Sequence, residues 1–167
     1  QDGRLDLLFG NFVAKPGEKK SEALWLSVTR HDNQGGGSND LLLQGEDTFF
    51  NVAKHIDFLT RSYTHSTGIS DLNHDGYPDI FFANDYANDE LFINRRGLYV
   101  EDVTESRMPK RLHGNSGMNG EIVDVDMDGL ADIYVTNIYK PPFKRSYNIL
   151  WKQQPDGSFA IKSYGKQ

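Results

Sequence analysis

The chain contains the stretch Asp71-Leu72-Asn73-His74-Asp75-Gly76-Tyr77-Pro78-Asp79, followed at once by the apolar run Ile80-Phe81-Phe82-Ala83-Asn84. Oxygen-bearing side chains stand at positions 1, 3, 5 and 9 of this nonapeptide. Alternate positions of a tight loop can wrap around one point, and a backbone carbonyl at position 7 can join them. Calcium takes six to eight oxygen ligands at about 2.3–2.6 Å, which is the chemistry such a loop offers. Gly76 permits the positive φ that a sharp turn requires. Without a cation, so many carboxylates a few ångströms apart would repel one another.

The stretch recurs. Asp124-Val125-Asp126-Met127-Asp128-Gly129-Leu130-Ala131-Asp132 leads into Ile133-Tyr134-Val135-Thr136-Asn137, an offset of 53 residues. Half of a third copy opens the chain as Asp2-Gly3-Arg4-Leu5-Asp6, followed by Leu7-Leu8-Phe9-Gly10-Asn11. An Asp-Gly turn that merely reverses the chain does not require a retained Asp at position 9 in two complete copies. The predicted ligands are therefore Asp71, Asn73, Asp75 and Asp79 with the Tyr77 carbonyl, and Asp124, Asp126, Asp128 and Asp132 with the Leu130 carbonyl. Asp2 and Asp6 form only part of a site. An EF-hand is excluded, because position 12 is Phe82 or Val135 inside an apolar run rather than a bidentate Glu before a helix. Magnesium, which keeps several waters, suits this donor set poorly.

Each copy continues alike. A short apolar segment follows (Leu41–Gln44, Leu91–Asn94, Ile149–Lys152), then a turn, then another (Thr48–Val52, Leu98–Val103, Ser158–Ile161). These runs are rich in aromatic and β-branched residues and are bounded by Asn, Asp and Gly, as strands are. Asp156-Gly157 is a hairpin signal. No segment sustains a 3.6-residue apolar period, so helices should be minor. The unit reads as strand, metal loop, strand, turn, strand, turn, strand, which makes one four-stranded antiparallel blade. The expected fold is all-β, with blades at 1–52 (lacking its first strand and carrying an insert at 12–38), 53–103 and 104–167. Within the insert, Ala23–Val28 reads as an extra strand and His31–Asp40, with Gly35–Gly37, as a loop. Residues 103–119, including Arg107, Lys110 and Arg111, read as a solvated connection.

The loop pattern, the apolar strand ending in Asn, and Asp89-Glu90-Leu91-Phe92-Ile93-Asn94 followed by Tyr99-Val100-Glu101-Asp102-Val103-Thr104 resemble the FG-GAP repeats of integrin-type β-propellers. The bacterial variant is called VCBS, and the chain is most similar to the repeat region of the ASPIC/UnbV and cartilage acidic protein group. The resemblance covers nearly all of the chain outside residues 12–38. It implies a propeller fold with calcium in the first loop of each blade, secretion, and use as an adhesion or scaffold module. Asn73 departs from the pattern by replacing Asp, and the opening copy lacks positions 1 and 3. Three blades do not close a ring, since propellers use about four to eight. The chain is accordingly expected to be a piece of a longer protein. Head-to-tail assembly with a neighbour that completes the first loop is the alternative.

Composition narrows the function. There is no Cys in the 167 residues, so disulfides, zinc–thiolate sites and haem attachment are excluded. A net charge of −6, from 24 acidic and 18 basic residues, argues against a nucleic-acid binder. No apolar run approaches the about 20 residues that span a bilayer. The opening residues do not read as a signal peptide, so export would require a leader that is removed or outside this sequence. No nucleophile elbow, His-Glu-x-x-His or phosphate-binding Gly loop occurs. His31, His55, His65, His74 and His113 are scattered and read as surface or packing residues, with His74 pointing out of its loop. The expected function is a non-catalytic, calcium-stabilised extracellular, cell-surface or periplasmic module with a protein or glycan partner. The alternatives are a subunit of an extracellular filament, or part of a propeller lectin or polysaccharide-acting enzyme. In a filament, Trp25, Trp151 and Tyr139–Phe143 would be exposed contacts, although core or turn packing is their simpler role.

Overall fold

A computed structural model describes residues 4–11, 38–53, 62–109, 116–138 and 147–164. Within them lie eleven strands and one short helix, arranged as three antiparallel meanders. The first sheet contains β1 (Leu7–Phe9), β2 (Asp40–Gln44) and β3 (Phe49–Asn51). The second runs in order through β4 (Tyr63–Ser70), β5 (Asp79–Asp85), β6 (Glu90–Asn94) and β7 (Val100–Asp102). After α1 (Thr104–Arg107), the third runs through β8 (Gly117–Val123), β9 (Asp132–Asn137), β10 (Asn148–Gln153) and β11 (Phe159–Tyr164). The all-β architecture of propeller-like blades read from the sequence is thus observed, and the sheets do not close into a ring.

The sheets stack face to face through β5, which is buried along its whole length. Alternate residues of a strand point to opposite faces. Phe81 and Ala83 face the third sheet, sharing a core with Leu72, Leu91, Ile133, Val135 and Trp151. Ile80 and Phe82 face the first sheet and pack with Phe92, Ala53, Leu8 and Leu41. An unbroken apolar run suits a strand covered on both sides, and each large side chain so buried contributes about 2–3 kcal/mol.

β8 crosses β4 and β5 closely because glycines leave room. A Cβ on Gly120 would lie 2.9 Å from the Phe81 ring. Both inner strands carry a bulge at matched places, His65 and Met118.

Several sequence expectations are adjusted. β8 begins at Gly117, inside the stretch read as a connection, and α1 forms part of that stretch. The outer strands are shorter than expected in the first two sheets, and Leu98 and Tyr99 are exposed in the turn before β7. The third strand of the last sheet is also shifted by one residue. Ile80 pairs with Phe92 whereas its counterpart Ile133 pairs with Trp151, so Gln153 matches Asn94 and Lys152 matches Ile93.

Trp151 is not an exposed contact. Its place opposite Ile133 directs it into the core, where it is 2% exposed and its indole N–H donates to Asp89 Oδ2 at 3.2 Å. Residues 12–37, including Trp25 and the Ala23–Val28 stretch, lie outside the described residues. So do Lys110, Arg111, Tyr139–Phe143, His31, His55 and His113.

Candidate metal centre

Each nonapeptide links an inner strand to the buried strand beside it, β4 to β5 and β8 to β9. Both loops are shaped by Asx-type hydrogen bonds from their own backbone. The N–H groups of Asp75 and Gly76 donate to the Asp71 carboxylate at 3.0 and 2.8 Å, and the Tyr77 N–H donates to Asp75 Oδ1 at 3.0 Å. The second loop repeats the set. Asp128 and Gly129 N–H groups reach Asp124 at 3.1 and 2.8 Å, and the Leu130 N–H reaches Asp128 at 2.9 Å.

Gly76 and Gly129 have φ of +86° and +87°, as the sequence predicts. Position 4 is left-handed as well, at +57° in His74 and +60° in Met127. Both of these side chains point away into solvent.

The position 9 carboxylates have a second task. Asp79 and Asp132 are both 0% exposed. Asp79 accepts the Leu72 N–H at 2.9 Å and the Asn94 N–H at 2.8 Å, fastening its own loop to the end of β6. Asp132 likewise accepts the N–H groups of Val125, at 3.4 Å, and Gln153, at 2.9 Å. In the opening half-copy, Asp6 accepts the Gln44 N–H at 3.0 Å. One clamp therefore recurs in all three sheets. Burial raises the Asp79 pKa, an effect opposed by the Asn94 and Leu72 hydrogen bonds and reinforced by Asp75 and Asp71. Asp2 lies outside the described residues.

The donor chemistry fits a hard cation. Asp124, Asp126 and Asp128 each offer an oxygen within 4.8 Å of the others. A positive charge already sits among their neighbours: Lys152 Nζ lies 2.8 Å from Asp126, 2.8 Å from Asp128 and 3.2 Å from Asp132. Hydrogen bonds to Asp126, Asp128 and Asp132 hold the Lys152 pKa well above the usual lysine range. The Lys152 hydrogen bond, helped by the Leu130 N–H, lowers the pKa of Asp128.

In the first loop the Asp75 N–H is shared between Asp71 Oδ1 and Asn73 Oδ1, at 3.0 and 3.1 Å, which draws those two oxygens together. The Asn73 amide donates to Asp75 Oδ2 at 3.2 Å. The sequence did not point to Lys152 or to the clamping residues Gln44, Asn94 and Gln153. Their common place, at the end of the strand paired with the one that the clamping Asp precedes or opens, is visible only once the register is known.

Three stacked antiparallel meanders of three or four strands, each with an aspartate at the start of one strand clamped to the end of the next, define propeller-type repeat blades. Residues 71–135 match the family model described as FG-GAP-like repeat, from the first Asp of one complete loop to three residues past the last Asp of the other. That region of the chain is an FG-GAP-like repeat, as its motifs suggested. No curated protein matches the chain. Repeats of this kind are typically binding modules without catalytic activity and are usually extracellular. Among the described residues, no helix is long and apolar enough to cross a membrane.

Proposed function

We propose that the chain is a calcium-stabilised, non-catalytic module of a secreted or cell-surface propeller, serving adhesion or scaffolding through a protein or glycan partner. The observation that carries this reading is the convergence of Asp126, Asp128 and Asp132 on one ammonium in a loop whose backbone frame is repeated at 71–79. A point that holds Lys152 Nζ among three carboxylates also suits a hard divalent cation.

Asp71, Asn73, Asp75 and Asp79 with the Tyr77 carbonyl would hold one ion. Asp124, Asp126, Asp128 and Asp132 with the Leu130 carbonyl would hold the other. Bound calcium would supply charge neutralisation, drawing each loop onto the sheet edge that its position 9 Asp already grips. Folding would then be coupled to the metal.

Calorimetric titration of the metal-free chain tests this reading. Two calcium ions per chain are expected, and no saturable heat at millimolar calcium would refute it. The partner class is tested separately, by glycan-array and pull-down binding in calcium against chelator.

A further inference from the structure

The two complete loops share a backbone frame but not a charge environment. Position 3 is Asn73 in one and Asp126 in the other, so the second loop carries one more carboxylate. The strand position facing them also differs. It is Ile93, fully buried, beside the first loop, and Lys152 beside the second. Lys152 reaches the added carboxylate, Asp126, at 2.8 Å. The extra negative charge and the facing positive charge thus occur together, on one loop, in direct contact.

Asp126 and Asp128 are 53% and 41% exposed on their side chains while Lys152 is 13% exposed. The ammonium touches two carboxylates that are open to solvent, so water is at hand on that side when it is displaced. A lysine on a flexible four-carbon stem can make that move.

We propose that Lys152 is a tethered cation for the 124–132 loop: it occupies the carboxylate cluster when calcium is absent and must leave for calcium to enter. Among the described residues, the first loop has no such competitor. It is therefore the site that fills first. The second fills only at higher calcium. This assignment rests on the calcium reading above, and its test separates the two.

Isothermal titration with CaCl₂ is run on the full chain carrying Asp71→Asn and Asp75→Asn, which leaves the 124–132 loop as the complete site, with and without Lys152→Met. Removing the competing charge-assisted hydrogen bonds should tighten calcium binding by about tenfold. Equal or weaker binding in the Lys152→Met form overturns the proposal while leaving the calcium reading intact. Absence of calcium binding in the chain with both loops unaltered defeats that reading and the proposal with it.

Should Lys152→Met not fold, the unaltered chain still decides by NMR. The Lys152 side-chain resonances must move during the second, weaker calcium step. Resonances that stay fixed throughout the titration overturn the proposal.

Discussion

Gln153 donates its side-chain amide to the carbonyl oxygen of Leu72 at 2.8 Å, across 81 residues of sequence. The same Gln153 gives its backbone N–H to Asp132, and Leu72 gives its own N–H to Asp79. One residue thereby ties the position 9 carboxylate of one loop to that of the other through buried hydrogen bonds. Replacing Gln153 by Met keeps the bulk but strands the Leu72 carbonyl. An unsatisfied buried acceptor costs about 1–3 kcal/mol. Urea denaturation of Gln153→Met should show a loss of about 2 kcal/mol, with calcium absent as well as present.

Asp79 separates a structural task from a metal-binding one. Substitution by Ala leaves the N–H groups of Leu72 and Asn94 without acceptors in a fully buried place, at about 1–3 kcal/mol each. Asp79→Ala should therefore destabilise the chain by about 3 kcal/mol or more in chelator, where no metal effect operates. Asp71→Ala, on the more exposed side of the loop, should act chiefly through lost calcium binding. Comparing the two variants in EDTA and in calcium by thermal unfolding checks the distinction.

A half-buried carboxyl sets a pH trend at the other end of β6 from Asn94. Burial raises the Glu90 pKa from 4.5 to about 7, against hydrogen bonds from Asn84 and Ser62 and with help from Asp102 and Asp89. The fold favours the protonated form. Its contribution is complete below the unfolded value and is lost as pH rises through the folded one. Stability should fall across pH 4.5 to 7 by about 3 kcal/mol on this account. Glu90→Gln keeps an acceptor and a donor there and should remove that component. Denaturation of both forms in chelator at a series of pH values measures it as a difference.

Met127 offers a smaller effect. It holds a φ of +60° while its side chain is 90% exposed, so little packing is at stake. Asn tolerates the left-handed region better than most residues other than Gly. Met127→Asn should leave stability unchanged or raise it by about 0.5–1 kcal/mol, read from the urea midpoint. A clear loss would mean that Met127 has a role beyond the turn.

The loops and second strands were legible because their signals are local. Alternate oxygens, Gly76 and Gly129, and the runs from Ile80 and Ile133 lie within nine or fourteen residues of one another. β4 and β8 have no such run. Gly68 and Gly120 sit in them because the neighbouring sheet comes close, with Ile122 and Phe81 in the way of any Cβ. The pairing of Ile133 with Trp151 was equally hidden, since by apolar character Leu91-Phe92 aligns as well with Ile149-Leu150 as with Leu150-Trp151, its match by register. That one-residue shift concealed Lys152. A lysine read as matching Asn94 is a strand end, whereas a lysine in the place of Ile93 reaches the carboxylates.

Thermal unfolding of the full chain in excess EDTA and in millimolar CaCl₂ bears most directly on the role of the acidic loops. At calcium a hundredfold above the dissociation constant, each site adds about 2.7 kcal/mol, and two sites should raise Tm by about 10–20 °C. Superimposable melting curves in the two buffers would contradict a metal-held fold.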